Sequence, residues 1–188
     1  MTELGQMSYH HVAMKKGRLI IFSGLPGSGK STLATQLAST LGATYLRIDT
    51  VEQALRDVCG IKEVEGMGYR LSYRIAQENL RLGLTVIADS VNPEEFTRDE
   101  WNAVATDVGS DFINVEIFCS IASEHKSRVE NRGPSVKGAS PPTWADVQSR
   151  DFHAWTDERI AIDTAGSSVE TSFRELLELV ETKLRVEN

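Results

Sequence analysis

The sequence predicts a single α/β domain in which helices cover both faces of a parallel β-sheet. Strand-like and helix-like segments alternate through the 188 residues. Two of the strand-like segments, LIIF (19–22) and LTVIAD (84–89), are continuous apolar runs, as expected for parallel strands buried on both faces. Parallel neighbours need crossover connections, which the intervening helices supply. The chain length suits one such domain with a single core.

Local patterns place five strands and seven helices. The helix after the first strand has Leu33, Leu37 and Leu41 on one face, and Gly42 follows as a stop. Pro93 suits the first turn of a later helix. The strands are predicted over 19–22, 44–48, 84–89, 112–119 and a short piece of 158–164, and the helices over 31–41, about 50–57, 69–83, 93–109, 122–132, 143–158 and 168–184.

Composition limits the classes of partner. The net charge is -7 and the isoelectric point is near 5.2, so the average surface would repel phosphates, and a nucleic-acid partner is not expected. The chain has no run of about 18 apolar residues, so no membrane span is predicted. Two distant cysteines, Cys59 and Cys119, favour a reducing cytoplasm. Residues 1–17 have no secretory pattern and are interpreted as a flexible extension of the domain at 18–188.

The most specific motif is GLPGSGKS, which fits the phosphate-loop pattern G-x-x-x-x-G-K-[ST] at every fixed position. It lies between an apolar strand and a helix, the context that this pattern requires. Its glycines allow successive N–H groups to surround a phosphate, Lys30 can reach the β- and γ-phosphates, and the Ser31 hydroxyl can bind Mg²⁺. We therefore predict a nucleoside-triphosphate site formed by Gly24, Pro26, Gly27, Ser28, Gly29, Lys30, Ser31 and Thr32.

Further segments follow this motif in a particular order: LRIDTVEQAL, LTVIADSVNP, EHKSRVENR, a stretch with Trp144 and Trp155, and IDTAG. Together with GLPGSGKSTLA, over residues 18–183, they resemble the P-loop small-molecule kinases related to gluconate kinase, adenylylsulfate kinase, chloramphenicol phosphotransferase and zeta-toxin kinases. Only the phosphate loop is specific by itself. The resemblance implies a three-layer α/β/α P-loop fold with five parallel strands in the order 2-3-1-4-5. It also implies ATP and Mg²⁺ as cofactors and an alcohol group as phosphate acceptor.

Two aspartates follow strands at the carboxyl edge of the sheet, where ligands bind. The resemblance places an acid at Asp49, where it could accept the proton of the acceptor hydroxyl or orient a Mg²⁺-bound water. Asp89 ends its strand as a Walker B acid does and could hold a metal-bound water. The alternatives are a helix N-cap for Asp49 and a loop cap for Asp89. The SVNP that follows differs from the F-I-S-P of adenylylsulfate kinase, so a sulfate-nucleotide acceptor does not follow from the resemblance.

Candidate acceptor-binding residues lie on the helices before and after the third strand. Arg70 and Arg74 are four residues apart and share a helical face, and Arg98 lies on the following helix. The resembled kinases use arginines in these regions to grip an anionic acceptor. Asn92, beside the turn-forming Pro93, is a similar candidate. Ordinary solvated side chains are the alternative for all of them.

The stretch RVENRGPSVKGASPPTW, which begins at Arg128, is interpreted as containing a short lid over 128–142. Arg128 and Arg132 are four residues apart and lie on one helical face. By analogy with adenylate kinase, the resemblance implies that the first stacks on adenine and the second reaches the phosphates, tasks that a guanidinium suits. A lid would exclude water from the transfer. The alternatives are a passive linker and surface ion pairs with Glu124 and Glu130.

Together these residues predict an ATP- and Mg²⁺-dependent phosphotransferase that moves the γ-phosphate to a hydroxyl of a small metabolite. The resemblance adds Thr164 and Ala165, in IDTAG, beside the adenine. Two other functions stay open: an ATP-binding switch with slow hydrolysis, and a polynucleotide 5′-hydroxyl kinase, which the acidic charge disfavours. The sequence indicates no particular protein partner. The predicted catalytic residues are Lys30, Asp49, Arg128 and Arg132, and the predicted metal-associated residues are Ser31, Asp49 and Asp89.

Overall fold

Five strands and seven helices follow one another in the described part of the chain as predicted, with two helices in succession after the second and fourth strands. The computed structural model describes residues 16–64, 66–134 and 136–186, so most of the predicted extension at 1–17 lies outside the described residues. The strands are β1 (Arg18–Ser23), β2 (Thr44–Arg47), β3 (Thr85–Asp89), β4 (Asp111–Phe118) and β5 (Ile160–Asp163). The helices are α1 (Lys30–Leu41), α2 (Ile48–Cys59), α3 (Met67–Arg81), α4 (Glu95–Thr106), α5 (Ala122–Asn131), α6 (Trp144–Ser149) and α7 (Val169–Val186). Within this described part, every helix is too short or too polar to cross a bilayer.

The five strands form one parallel sheet in the order β2-β3-β1-β4-β5, which confirms the predicted topology. β1 is the central strand, since Leu19 pairs with Val86 of β3 on one side and with Phe112 of β4 on the other. Phe22 pairs with Asp89, so β1 and β3 end side by side. The loop that follows β1 therefore starts next to the Asp89 carboxylate.

The central strand is buried on both faces, which explains its uninterrupted apolar sequence. Ile20 and Phe22 belong to the core beneath α1 and α7, whereas Leu19 and Ile21 belong to the core beneath α3 and α4. All four side chains are fully buried. Successive residues of a strand point to opposite faces, so a sheet covered on both sides needs apolar residues at every position.

Two of the large apolar residues of α3 lie on its exposed side. Leu71 and Ile75 are 41% and 43% exposed, whereas Ala76 is fully buried. The buried side carries Ser72, Ala76 and Leu80, and it packs against the sheet and α4. There the Tyr73 ring meets the Trp101 ring edge to face at 4.6 Å between centroids.

The helix predicted over 143–158 is wrong in its second half, because α6 ends after six residues. The backbone beyond it bonds to α4 and the loop before α4, and not to itself. The amide of His153 donates to the Pro93 carbonyl at 2.8 Å, and the carbonyls of His153 and Ala154 accept from Arg98 at 2.6 and 3.3 Å. These tertiary bonds replace the i to i−4 bonds that a helix would need.

The buried side chain of Arg98 connects the segment after α6 to the start of α4. Its side chain is 2% exposed, and it also donates to the carbonyls of Asn92 and Pro93 at 3.1 and 3.0 Å. The guanidinium carbon lies 4.2 Å from the centroid of the Trp155 ring. One cation therefore fastens the segment after α6 to the start of α4.

Replacement of Arg98 by alanine is expected to lower the free energy of unfolding by about 2–4 kcal/mol, because carbonyls on two segments lose buried donors. Urea denaturation followed by circular dichroism measures the change. Arg74→Ala, on the exposed side of α3, is the matched control and should change it by less than about 0.5 kcal/mol. Equal losses in the two variants would contradict the role of Arg98.

Candidate nucleotide-binding site

The phosphate loop joins β1 to α1 in a shape that requires glycine at two positions. Gly27 has a φ of +86°, and a Cβ there would lie 2.5 Å from Cγ2 of Val129 on α5. Gly24 has a φ of +150°, and a Cβ there would lie 2.2 Å from the carbonyl oxygen of Ile117 on β4. Both the backbone conformation and the lack of room exclude larger residues. The loop is thus held tightly between β4 and α5.

Lys30 and Asp89 form a buried ion pair at the base of the loop. Lys30 Nζ lies 2.5 Å from Asp89 Oδ1, and the two side chains are 9% and 0% exposed. The Tyr45 hydroxyl donates to the other carboxylate oxygen, Oδ2, at 2.5 Å. Arg47 Nε lies 3.8 Å from the same oxygen. These contacts hold both oxygens of the acid beside the first turn of α1.

The Asp89 carboxyl stays ionised inside the protein. Burial alone would raise the pKa of the Asp89 carboxyl, but the Lys30 ammonium and the hydroxyls of Tyr45 and Ser31 outweigh this and hold the pKa below its ordinary value. Burial, and then the negative charge of Asp89, raise the pKa of the Tyr45 phenol. At neutral pH the acid is therefore charged, and Tyr45 keeps the proton that it donates.

Asp49 lies in the first turn of α2, whose N-cap is Arg47, so the predicted N-cap alternative does not describe it. Its side chain is 55% exposed, and Oδ2 accepts from Arg47 Nη2 at 3.2 Å. Arg47 thus lies between the carboxylates of Asp49 and Asp89. The exposed carboxylate of Asp49 lines the cavity described below and is accessible to a ligand.

Arg128, on α5, is held against the loop that follows β5. Its Nη1 donates to Thr164 Oγ1 at 2.7 Å, and its Nη2 donates to the Thr164 carbonyl at 2.8 Å and to Glu124 Oε1 at 2.5 Å. The predicted alternative of an ion pair with Glu124 is therefore present, although Arg128 also lines the cavity. Thr164 Oγ1 lies 2.8 Å from the carbonyl oxygen of Ser28, which links Arg128 to the phosphate loop through one residue.

Arg132 follows α5 and has a different environment. Its Nε is buried and has no hydrogen-bond partner among the described residues. Burial lowers the pKa of the guanidinium, and the charge of Asp49, on the same cavity, opposes this shift. The predicted alternative of a pair with Glu130 is not found in the described part of the chain, where Glu130 lies 3.8 Å from Lys126.

Thr164 and Ala165, expected beside the adenine, lie behind the phosphate loop and outside the cavity lining. The Thr164 amide donates to the Phe118 carbonyl at 2.9 Å, and the Ala165 amide donates to Asp163 Oδ1 at 3.0 Å. Their role at the adenine stays a prediction.

The phosphate loop opens into a cavity of about 1010 Å³ between α2, α5, α6 and the segment 132–143. This volume suits a ligand as large as a nucleotide. Six cationic side chains and three carboxylates line it, in a chain whose net charge is -7. The cations are Lys30, Arg47, Arg56, Arg128, Arg132 and Arg150, and the acids are Asp49, Glu52 and Asp146. The cavity is thus locally basic, as an anionic ligand requires.

The segment 132–143 forms one wall of this cavity without regular secondary structure, and Ser135 within it lies outside the described residues. Gly138 has a φ of +87°, and a Cβ there would lie 3.0 Å from Gln53 Nε2 on α2. Gln53 is 8% exposed and donates to Asp57 Oδ1 at 2.9 Å. The segment therefore lies directly on α2.

Sequence reasoning missed three arginines on the cavity wall. Arg47 had a detectable signal, because it ends a predicted strand at the edge where ligands bind, two residues before Asp49. Arg56 carried no signal beyond helical periodicity. Arg150 was hidden because the predicted helix ran past it, whereas α6 ends at the residue before it.

The structure assigns internal roles to two acceptor candidates and an exposed position to the others. Arg98 uses its donors on backbone carbonyls, as described above. Asn92 is fully buried, and its Nδ2 donates to Ser23 Oγ at 2.9 Å. Arg70 and Arg74 are exposed on α3. None of these four described residues lines the cavity, and their contact with an acceptor stays a prediction.

The residues predicted for Mg²⁺ supply oxygen atoms, which this ion prefers. The Ser31 hydroxyl interacts with the Asp89 carboxylate at the base of the loop, and Asp49 lies on the cavity wall. Within the described residues, no group of three or more His, Cys, Asp or Glu side chains could hold a metal ion alone. This donor set fits Mg²⁺, which is commonly bound by one or two protein oxygens together with phosphates and water.

Asp89→Asn is expected to lower the free energy of unfolding by about 3 kcal/mol at pH 7, because Lys30 would stay buried without its counter-charge. The stabilisation that accompanies a lowered carboxyl pKa is present above the unfolded pKa and is lost as pH falls through the folded pKa. The difference between parent and variant should therefore begin to shrink below about pH 5. Denaturation at pH 7 and pH 3 measures it, with Asp99→Asn as an exposed control on α4. A difference that does not change with pH would contradict this interpretation.

Known protein families and solved structures were compared with this chain, and they include P-loop proteins. A family model described as an AAA domain (AAA_33) matches residues 19–151, which is 133 of the 188 residues. The matched stretch contains the phosphate loop, Asp49, Asp89 and the arginines Arg128 and Arg132.

Individual relatives cover nearly the whole chain. The adenylyl-sulfate kinase of Bacteroides thetaiotaomicron is 28% identical over 177 residues, 88% of this chain and 84% of the relative. The APS kinase of Mycobacterium tuberculosis in complex with AMPPNP and APS has a TM-score of 0.65 at 20% identity and covers 89% of this chain and 99% of that one. A gluconokinase from Sinorhizobium meliloti has a TM-score of 0.60 at 18% identity and covers 93% and 98%. The solved structures share the fold of this chain. Because the family model matches most of the 188 residues, the chain belongs to the AAA domain family of P-loop proteins. This confirms the resemblance to the P-loop kinases.

Proposed function

We propose that the chain is an ATP- and Mg²⁺-dependent phosphotransferase that moves the γ-phosphate to a hydroxyl of a small metabolite. The family match and the kinase relatives support a P-loop ATP-dependent kinase. The observation that carries the proposal is the phosphate loop itself, with Lys30 paired to Asp89. It opens into a basic cavity that Asp49, Arg128 and Arg132 line.

The triphosphate would lie on the phosphate loop. Backbone N–H groups there and the N-terminus of α1 attract anions. Lys30 would give up part of its contact with Asp89 to phosphate oxygens. Arg132, whose buried Nε has no partner among the described residues, supports a contact with the phosphates. Arg128, which is bonded to Thr164, would lie towards the adenine.

The metal would bind beside the first turn of α1. Ser31 and Asp89 would hold it, and Asp49 would orient a water bound to it. When bound, Mg²⁺ supplies positive charge that neutralises the phosphate oxygens. The protein groups keep those oxygens and the acceptor in line.

Asp49 is proposed as the base. The acceptor oxygen forms a bond to the γ-phosphorus while the bond from that phosphorus to the leaving oxygen of ADP breaks, and the hydroxyl proton passes to Asp49. The exposure of its carboxylate on the cavity wall and the support of Arg47 favour this role. The SVNP sequence after β3 differs from that of adenylylsulfate kinase, so the proposal names no acceptor more specific than a small metabolite.

We further propose that residues 128–142 act as a lid on a single domain at 18–188. We also propose that the protein acts in the cytoplasm, where ATP is available. The segment lines the cavity and connects α5 to a capped α6. Its closure would exclude water, so that the phosphoryl group passes to the acceptor and not to solvent.

Lys30→Ala is expected to weaken binding of ATP–Mg²⁺ by at least about tenfold, because a charge-assisted contact with the phosphates is lost. Isothermal titration calorimetry measures the affinity, and circular dichroism checks that the variant is folded. Lys126→Ala, at an exposed site on α5, should bind like the parent. Unchanged affinity in Lys30→Ala would refute the phosphate site.

Asp49→Asn is expected to slow phosphoryl transfer by about a hundredfold or more while ATP affinity changes less than about twofold, since a general base acts only on the chemical step. A metabolite screen for acceptor-stimulated ADP release identifies the substrate for this assay. Glu63→Gln, at an exposed site, is the control. If Asp49→Asn transfers the phosphoryl group at the full rate, Asp49 is not the base. If no acceptor stimulates ADP release, the alternative of a nucleotide switch is favoured.

A further inference from the structure

A buried histidine on α5 lies directly behind the phosphate loop. His125 is 7% exposed and lies outside the lining of the nucleotide cavity. Its sequence context has no metal-binding spacing and favours a packing role. Its contacts, however, connect two parts of the site that are far apart in the chain.

The first contact fixes the backbone of the phosphate loop. His125 Nε2 lies 2.8 Å from the carbonyl oxygen of Pro26. A carbonyl oxygen can only accept, so Nε2 carries the proton and donates. The bond spans 99 positions of the chain and orients the peptide unit immediately before Gly27.

The second contact is with Gly27 itself, the loop residue that takes a φ of +86°. A Cβ on Gly27 would lie 2.5 Å from Val129 Cγ2 and 3.3 Å from His125 Cδ2. One turn of α5 therefore forms a surface against which the loop is pressed. The loop keeps its left-handed conformation at Gly27, where α5 leaves no room for a side chain.

The third contact reaches the far end of the predicted lid. The His125 ring meets the Trp144 ring edge to face, with centroids 5.2 Å apart. Trp144 is the first residue of α6, and a capping box between Thr143 and Asp146 fixes that start. The point where the segment 132–143 ends is thus in contact with the side chain that supports the phosphate loop.

We propose that His125 is a positioning residue that holds the phosphate loop in its nucleotide-binding conformation and connects it to the start of α6. The inference rests on the proposed function in that a triphosphate binds this loop. Trp144 keeps the imidazole in place, and the imidazole keeps the Pro26 carbonyl turned away from the phosphates. Anything that shifts the start of α6 therefore changes the fraction of molecules whose loop is ready to bind.

Two variants separate the hydrogen bond from the ring. His125→Phe keeps an aromatic ring against Trp144 but cannot donate, whereas His125→Gln keeps an N–H donor at a similar reach but has no ring. Apparent affinity falls in proportion to the binding-competent fraction, so His125→Phe should weaken ATP–Mg²⁺ binding by about three- to tenfold. His125→Gln keeps the donor but loses the ring contact with Trp144, so it should weaken binding less than His125→Phe does.

The loss of affinity should come from contacts with the phosphates and not from contacts with the adenine. Isothermal titration with inorganic tripolyphosphate and Mg²⁺ should therefore give the same fold-change as ATP–Mg²⁺ in His125→Phe. Trp144→Ala should weaken binding in the parent but not further in His125→Phe, because both changes act through one side chain. Melting temperatures measured alongside separate these effects from loss of folded protein.

The outcomes distinguish this inference from the proposed function. If Lys30→Ala and the parent bind ATP–Mg²⁺ alike, the proposed function fails, and the inference fails with it. If Lys30→Ala loses binding while His125→Phe binds like the parent, only the inference fails. Equal weakening in His125→Phe and His125→Gln would also overturn it, because the donor would then not matter. Additive losses from His125→Phe and Trp144→Ala would overturn the connection to α6.

Discussion

The geometry of the site depends on the buried ion pair between Lys30 and Asp89. Two charges placed inside a protein are costly unless their geometry is close and further hydrogen bonds satisfy them. Tyr45 and Arg47, from β2, supply those further contacts. The carboxylate therefore joins the end of β3, the strand β2 and the first turn of α1. This convergence explains why the phosphate loop and Asp49 open into the same cavity.

The distribution of charge is as important as its sum. Six of the chain's 20 lysines and arginines line one cavity, although the chain as a whole is acidic. A basic cleft surrounded by acidic surface concentrates the field where a polyphosphate binds, and it discourages extended polyanions elsewhere. The net charge alone could not have revealed this contrast.

The sequence was sufficient for features that local patterns encode and insufficient for those that distant contacts decide. Apolar runs and the glycine-rich motif predicted the parallel sheet and the position of Lys30, because strand burial and loop shape impose them locally. The order of the strands came from the resemblance to the P-loop kinases. The position of Asp89 at the site was predictable for the same reason as that of Lys30, because it ends a strand. The internal role of Arg98 was not, since carbonyls more than 50 positions away satisfy its guanidinium. Those same bonds occupy the backbone beyond α6, so this long-range contact accounts for the early end of the helix predicted over 143–158.

The contact between Gly138 and Gln53 has a consequence for how such a protein can change over time. The wall that would close over the nucleotide lies on the helix that carries Asp49, with no space between them for even a methyl group without adjustment. A new side chain on either surface must be accommodated by the other. Under the proposed function, substrate preference and closure would therefore be linked, and a lineage that acquires a different acceptor is expected to alter both segments together.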